Sequence, residues 1–264
     1  MEFETKEKYD FSDLIRILKI LRAPGGCPWD RAQDHHSIRK NFIEETYEVI
    51  EAIDNEDKEL LKEELGDVML QVFFHAEIES ENNSFDINDV TDDVCRKLII
   101  RHPHVFADLS AENVDEALSN WEAVKMKTKA QKTQTDVLNS VSKALPSLMR
   151  SQKLQQKAAK VGFDWDSVNG AVDKLKEEVA ELEEAIAEND SSHMQEELGD
   201  VLFSAVNIAR FINADAENVL YNACEKFISR FSKMERLAYE NNIILNEASL
   251  ETLDGLWEQA KNNH

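Results

Sequence analysis

Eight acidic residues fall into two matching sets. Glu45 and Glu48 stand three apart, as do Glu178 and Glu181; further along, Glu64 pairs with Asp67 and Glu197 with Asp200. Side chains three or four apart on a helix share a face. If the two helices of each set pack antiparallel, four carboxylates converge on one point. Such a cluster cannot stay ionised at neutral pH without a cation. Ligation by oxygen alone suits a hard ion, Mg²⁺ or Mn²⁺, which completes its shell with water and substrate phosphate oxygens. A di-iron centre would need Glu-x-x-His on two helices. The third-position partners here are Glu48, Glu181, Asp67 and Asp200, with no histidine.

The weaker reading is a solvated acidic face, which is the usual fate of a Glu-rich helix. Against it, the acids are embedded in apolar sequence, Glu64-Leu-Gly-Asp67-Val-Met-Leu and Glu197-Leu-Gly-Asp200-Val-Leu-Phe. Gly66 and Gly199 also sit within these helices, at about 1 kcal/mol each relative to Ala. Close approach of a neighbouring helix beside the metal is the expected reason. On the basic side, Asn222, Lys226 and Arg230 lie at i, i+4 and i+8 on one face. Arg binds phosphate oxygens bidentately and Lys as a point charge. The histidines form no ligand-spaced cluster and read as structural or surface residues.

The elements that would carry these residues are repeated. Glu44–Ile53 (EETYEVIEAI) and Glu177–Ile186 (EEVAELEEAI) share six of ten positions at an offset of 133. EELGDV recurs at Glu63–Val68 and Glu196–Val201 at the same offset of 133. At an offset of 129, Cys95, Lys97 and Arg101 match Cys224, Lys226 and Arg230. Trp121 and Lys125 are echoed by Trp257 and Lys261. The pattern predicts an all-α fold of two tandem, divergent helical bundles. The first spans residues 1–127, a polar linker 128–145, and the second 146–264, with Pro146 opening its first helix. Helices are expected at Phe11–Arg22, Ile38–Ile53, Leu60–Ile78 and Asn88–Arg101. In the second copy they fall at Ser147–Lys160, Val168–Ala187, Met194–Phe211, Glu217–Tyr239 and Glu251–Lys261.

Composition agrees. Only 7 Gly and 4 Pro in 264 residues favour long helices over a sandwich or barrel. A formal charge of −23 repels nucleic acid and anionic membranes, so no partner of either kind is expected. A phosphate-ester substrate would then need a cation. The charged N-terminus has no signal-peptide core, no apolar run approaches a membrane span, and the three cysteines form no CxxC pair. A cytoplasmic protein with reduced thiols is expected.

Taken together, these blocks resemble the MazG-type nucleoside triphosphate pyrophosphohydrolases, in the all-α group that includes dimeric dUTPases. LRAPGGCPWDRAQDHHSI (Leu21–Ile38), RHPHVF (Arg101–Phe106), KLQQKAAKVGFDW (Lys153–Trp165) and KFISRF (Lys226–Phe231) carry the likeness across nearly the whole chain. The resemblance implies hydrolysis of NTPs and dNTPs to monophosphate and pyrophosphate, with broad base specificity, by direct water attack in a homodimer. It implies that Glu178, Glu181, Glu197 and Asp200 hold Mg²⁺, with Glu45, Glu48, Glu64 and Asp67 as the N-terminal counterpart. Glu177 or Glu178 is the candidate base. Lys174, Glu178, Glu196, Asp200, Asn222, Lys226, Arg230, Trp257 and Lys261 are the expected substrate contacts, with Trp257 stacking on the base. Where relatives often carry Asn two residues before the helix lysine, this chain has Cys224. The second copy is expected to do most of the catalysis: Lys97 and Arg101 run straight into His102-Pro103, and the counterpart of Asn222 is Asp93. The competing reading is a nucleotide-sensing regulatory module that dimerises without turnover.

Overall fold

The structure is a computed structural model. It describes residues 3–107 and 132–262 and, between them, 110, 113, 114, 116, 117, 120, 121 and 124; Lys125 lies outside the described residues. The chain divides into two compact units, Met1–Thr128 and Lys129–His264. Among the described residues every regular element is helical.

In the first unit, α1 is Phe11–Arg22, α2 Pro28–Ala32, α3 His35–Asp54, α4 Lys58–Glu81, α5 Ile87–Arg101 and α6 Pro103–Phe106. In the second, α7 is Gln134–Asn139, α8 Ser147–Ala159, α9 Val168–Glu188, α10 Ser191–Phe211, α11 Ala216–Glu240 and α12 Leu250–Asn262. The long helices start and stop within a few residues of the positions set by apolar periodicity. Within the stretch expected as a linker, Gln134–Asn139 is helical and packs on α8, with Val137 and Val141 buried.

Each unit is organised around an antiparallel hairpin, α3 with α4 and α9 with α10. Its sequence signals are the same in both copies. Asp57 and Asp190 cap α4 and α10 by accepting two backbone N–H bonds each. One residue earlier, Glu56 (φ 54°) and Asn189 (φ 57°) take the left-handed conformation that turns the chain. That geometry is easy for Asn and costly for Glu. In the first unit Leu18, Ile38, Phe74 and Ile78 form the core, flanked by Leu14, Leu21, Leu70 and Phe73. Full burial of such side chains is worth roughly 1.5–3 kcal/mol each. In the second unit, Met234, Ala238, Leu256 and Ala260 join α11 to α12.

Two features follow from the apolar surface. Residues 91–100 of α5 and 218–229 of α11 are exposed on every face, although they include Val94, Leu98, Ile99, Val219, Leu220, Phe227 and Ile228. The hairpins show further exposed apolar side chains at Leu65, Leu198 and Leu202. The expectation for Gly66 and Gly199 is corrected here. A Cβ built at either would meet nothing within 4 Å, so neither glycine is needed for close helix approach within one chain.

Candidate active site

The hairpin geometry brings the acids together. In the second unit, carboxylate oxygens of Glu178, Glu197 and Asp200 all lie within 4.8 Å of one another. Glu178 is 6% exposed. Glu181 joins the group through a hydrogen bond with Glu178, which, followed by burial, holds its carboxyl above the ordinary value. In the first unit, oxygens of Glu45, Glu48 and Glu64 lie within 4.8 Å of one another. Burial, then the charges of Asp67 and Glu48, raise the Glu45 carboxyl; burial, then the charges of Glu48 and Asp67, raise that of Glu64. The carboxylates lie within 4.8 Å of one another, where burial first and mutual repulsion second disfavour their charged forms.

The donor set fits a hard divalent cation. Three convergent oxygen ligands, with a fourth alongside, are the chemistry that Mg²⁺ or Mn²⁺ selects. Glu197 Oε2 adds a specific observation. It is buried without a hydrogen-bond partner, while Oε1 lies 3.1 Å from His193 Nε2. A buried, unpaired carboxylate oxygen facing other acids is an open ligand position.

Lys174 is the main cation beside this site. Its Nζ lies 2.7 Å from Glu177 and 2.8 Å from Glu178. Hydrogen bonds to these two acids, Glu177 first, hold the ammonium well above its ordinary pKa. At the offset of 133 its first-unit counterpart is Asn41.

A cleft of about 580 Å³ opens from Lys174, Glu178 and Asp200. Leu154, Ala158 and Phe203 form apolar walls, Phe163 and Trp165 lie at the rim, and Gln155, Asn207 and Arg210 supply polar groups. Gly162, at φ +83°, makes the turn after α8 that leads into Phe163–Trp165. Gly170 lets the Trp165 ring seat on the first turn of α9, since a Cβ there would approach the ring to 3.0 Å. The cleft was not legible in the sequence, because its walls come from four helices. A comparison of the repeats holds the one available signal. At the offset of 133, Asn207 answers to Phe74 and Arg210 to Glu77. Phe74 is buried in the first unit's core, under the guanidinium of Arg22 at 5.1 Å. One unit fills this place; the other leaves it hollow and polar.

Other anticipated contacts lie elsewhere. Asn222, Lys226 and Arg230 are on α11, and Asn222 donates to Asn218 at 3.0 Å. Neither Lys226 nor Arg230 makes an ion pair among the described residues. Trp257 packs against Phe227, ring centroids 5.1 Å apart, and Lys261 pairs with Glu258 at 2.5 Å. Trp121 lies under Arg101, whose guanidinium is 5.2 Å from the ring centroid. Glu196 is exposed and outside the trio. His35 and His75, read as structural or surface residues, stack with ring nitrogens 2.7 Å apart, and His35 also lies 2.7 Å from Glu79.

Fold and site together define an all-α protein built from two copies of a carboxylate-bearing helical hairpin, one of them opening on a ligand-sized cleft. The sequence matches the family model described as the MazG nucleotide pyrophosphohydrolase domain twice, at residues 33–106 and 167–234. The chain is 43% identical over 251 residues to the nucleoside triphosphate pyrophosphohydrolase/pyrophosphatase MazG of Thermotoga maritima, covering 95% of each chain. It is 44% identical over 251 residues to the nucleoside triphosphate pyrophosphohydrolase of Escherichia coli K12, covering 94% of this chain and 95% of that one. A Mycobacterium tuberculosis protein of that name is 40% identical over 153 residues, 57% of this chain and 45% of its own length. The chain belongs to the MazG nucleotide pyrophosphohydrolase family, hydrolases acting on phosphoanhydride bonds.

Proposed function

We propose that this chain converts nucleoside triphosphates, ribo and deoxy, to monophosphate and pyrophosphate, mainly in a second domain spanning residues 146–264. The observation that carries the proposal is the Glu178–Glu197–Asp200 trio, with its unpaired Glu197 oxygen, of which Glu178 and Asp200 line a cleft of about 580 Å³. The first unit has its own acids but a packed core where that cleft would lie, which supports an architectural role.

Glu178, Glu181, Glu197 and Asp200 would hold the cation. When bound, Mg²⁺ or Mn²⁺ supplies charge neutralisation at the triphosphate oxygens. The side chains do the rest. Lys174, an ammonium spanning Glu177 and Glu178, fixes the two carboxylates in place and presents a positive charge to the incoming phosphate. Glu177, more exposed than Glu178 and outside the trio, orients a water and takes its proton. The water oxygen bonds to a phosphorus of the α–β anhydride, and that P–O bond breaks to release pyrophosphate. Among the described residues no Ser, Cys or His arrangement offers a covalent nucleophile, so water attacks directly.

A homodimer completes this reading. Over three turns of α11 exposed on all sides cannot be a stable end state for Val219, Leu220, Phe227 and Ile228. Pairing through α11 and the open hairpin face is the route by which Asn222, Lys226, Arg230, Trp257 and Lys261 reach a triphosphate. Glu196, beside the trio, is a further candidate contact. The test is product analysis with several NTPs and dNTPs. Monophosphate and pyrophosphate in equal amounts, abolished by EDTA, are expected. Diphosphate and orthophosphate as the products would reject the reading, and tight binding without turnover would favour the sensing module instead.

A further inference from the structure

We infer that His35, His75 and Glu79 form a proton-sharing clasp between the first turn of α3 and the C-terminal half of α4, one that holds with a single added proton and opens when both imidazoles are charged. The inference stands apart from the hydrolase reading and concerns the first unit alone. His35 is the first residue of α3, directly after its cap Asp34. His75 and Glu79 stand one turn apart on α4. The two imidazoles stack with ring centroids 5.0 Å apart, and their Nδ1 atoms are 2.7 Å apart. His35 Nε2 lies 2.7 Å from Glu79 Oε1. The Phe42 ring lies against His75, with 5.9 Å between centroids.

Chemistry assigns the hydrogens. The Glu79 carboxyl is held below its ordinary value by its hydrogen bond with His35 and then by one with Ser84, so it is ionised at neutral pH and only accepts. His35 Nε2 therefore carries a hydrogen and donates it to Glu79, while its Nδ1 keeps a lone pair that accepts from His75 Nδ1–H. A proton added at His75 Nε2 leaves this bond in place. A second must go to His35 Nδ1, where two N–H groups and two positive charges would face each other across 2.7 Å. Burial, then the charge of His35, lowers the His75 value. A folded value below the ordinary 6.5 gives stability that is full above that pH and lost as pH falls through the folded value.

The other charges nearby are engaged elsewhere. On α4, Glu81 pairs with Arg22 of α1. Glu77 points away from His75, two residues on, and Lys19 and Arg22 of α1 and Asp86 before α5 bear on it. On α3, Asp34 accepts the backbone N–H groups of His36 and Ser37, and Arg39, one turn from His35, is exposed. Glu45 lies about 15 Å further along the helix. At the offset of 133 the three clasp positions are Val168, Ile208 and Ile212, none of which titrates. Mild acid should therefore loosen the start of α3 and spare the start of α9.

The experiment is amide hydrogen exchange on the full-length protein at about pH 7.5 and 5.5, corrected for the intrinsic exchange rate and read by mass spectrometry. One proton more on the open form favours opening about tenfold per pH unit. Peptides covering residues 35–43 and 70–80 should thus lose about tenfold in protection at the lower pH, and those covering 168–176 and 203–212 should keep theirs. A variant carrying the second unit's residues, His35→Val with His75→Ile and Glu79→Ile, should lose the pH dependence. Unchanged protection in the wild type, equal loss in both units, or a loss that persists in the folded variant overturns the inference. Should the variant not fold, imidazole NMR of the wild type decides. A protonation step of His35 and His75 below the ordinary 6.5 supports the clasp, and two independent steps at that value overturn it.

Discussion

Replacing Glu178 by Ala should all but stop turnover, while Glu45→Ala should leave it nearly intact. The two residues hold equivalent places in the repeats, and both belong to trios of oxygens within 4.8 Å. The surroundings differ. Glu178 is 6% exposed, pairs with Lys174 at 2.8 Å and lines the cleft; Glu45 has Asn41 in place of that lysine, beside a filled core. Charge stabilisation by a bound cation is worth several kcal/mol in the transition state. If losing Glu178 forfeits about 3–4 kcal/mol of it, the rate falls roughly 10²–10³-fold, at tenfold per 1.4 kcal/mol. Glu45→Ala should cost less than about threefold, since it touches no reacting group in this scheme. The assay is pyrophosphate release at saturating Mg²⁺, with circular dichroism to show that both variants fold. Loss of activity in Glu45→Ala with near-normal rates in Glu178→Ala would reverse the assignment of the two units.

Three further outcomes are expected. Glu45, Glu64 and Glu181 are all held above the ordinary 4.5 in the folded chain; a raised carboxyl stabilises the fold when protonated and loses that contribution as pH rises from about 4.5 through its folded value. The Mg²⁺-induced rise in Tm should therefore be small at pH 4.5 and grow toward neutrality, and scanning calorimetry showing the opposite trend would refute the reading of the acid clusters. Sedimentation should find a dimer, and Ile228→Asp on α11 should weaken it at least about tenfold in Kd; a fully active 30.2 kDa monomer would remove the case for pairing through α11. Gly170→Val should push the Trp165 ring from its seat, because a Cβ there already approaches it to 3.0 Å, and should raise NTP KM about three- to tenfold; an unchanged KM would show that Trp165 does not contact the nucleotide.

Helix positions were legible because each long helix carries its own apolar stripe, and six of them carry aspartate caps, at Asp10, Asp34, Asp57, Asp86, Asp190 and Asp215. Pairing of the acids was legible because i, i+3 spacing fixes a shared face before any tertiary contact forms. Tertiary relations were less so. The Gly66 and Gly199 argument failed because a glycine's purpose depends on what approaches it, and within one chain nothing does. Trp257 packs on Phe227 within one chain, a contact that its spacing from Lys261 does not foretell. Asn207 carried only its contrast with Phe74 at the offset of 133, and Gln155 no spacing signal. Their places in the cleft wall are set by tertiary bonds, to Phe203's carbonyl in one case and Arg210 in the other.

Stretches of α5 and α11 are exposed on every face. If a second chain buries them, folding and assembly are one equilibrium, and stability falls with the concentration of the protein itself. Specific activity would then decline on dilution well before any ligand becomes limiting. A cell could set the output of such an enzyme steeply through copy number, because halving the chains removes more than half of the assembled sites once the concentration nears the dissociation constant.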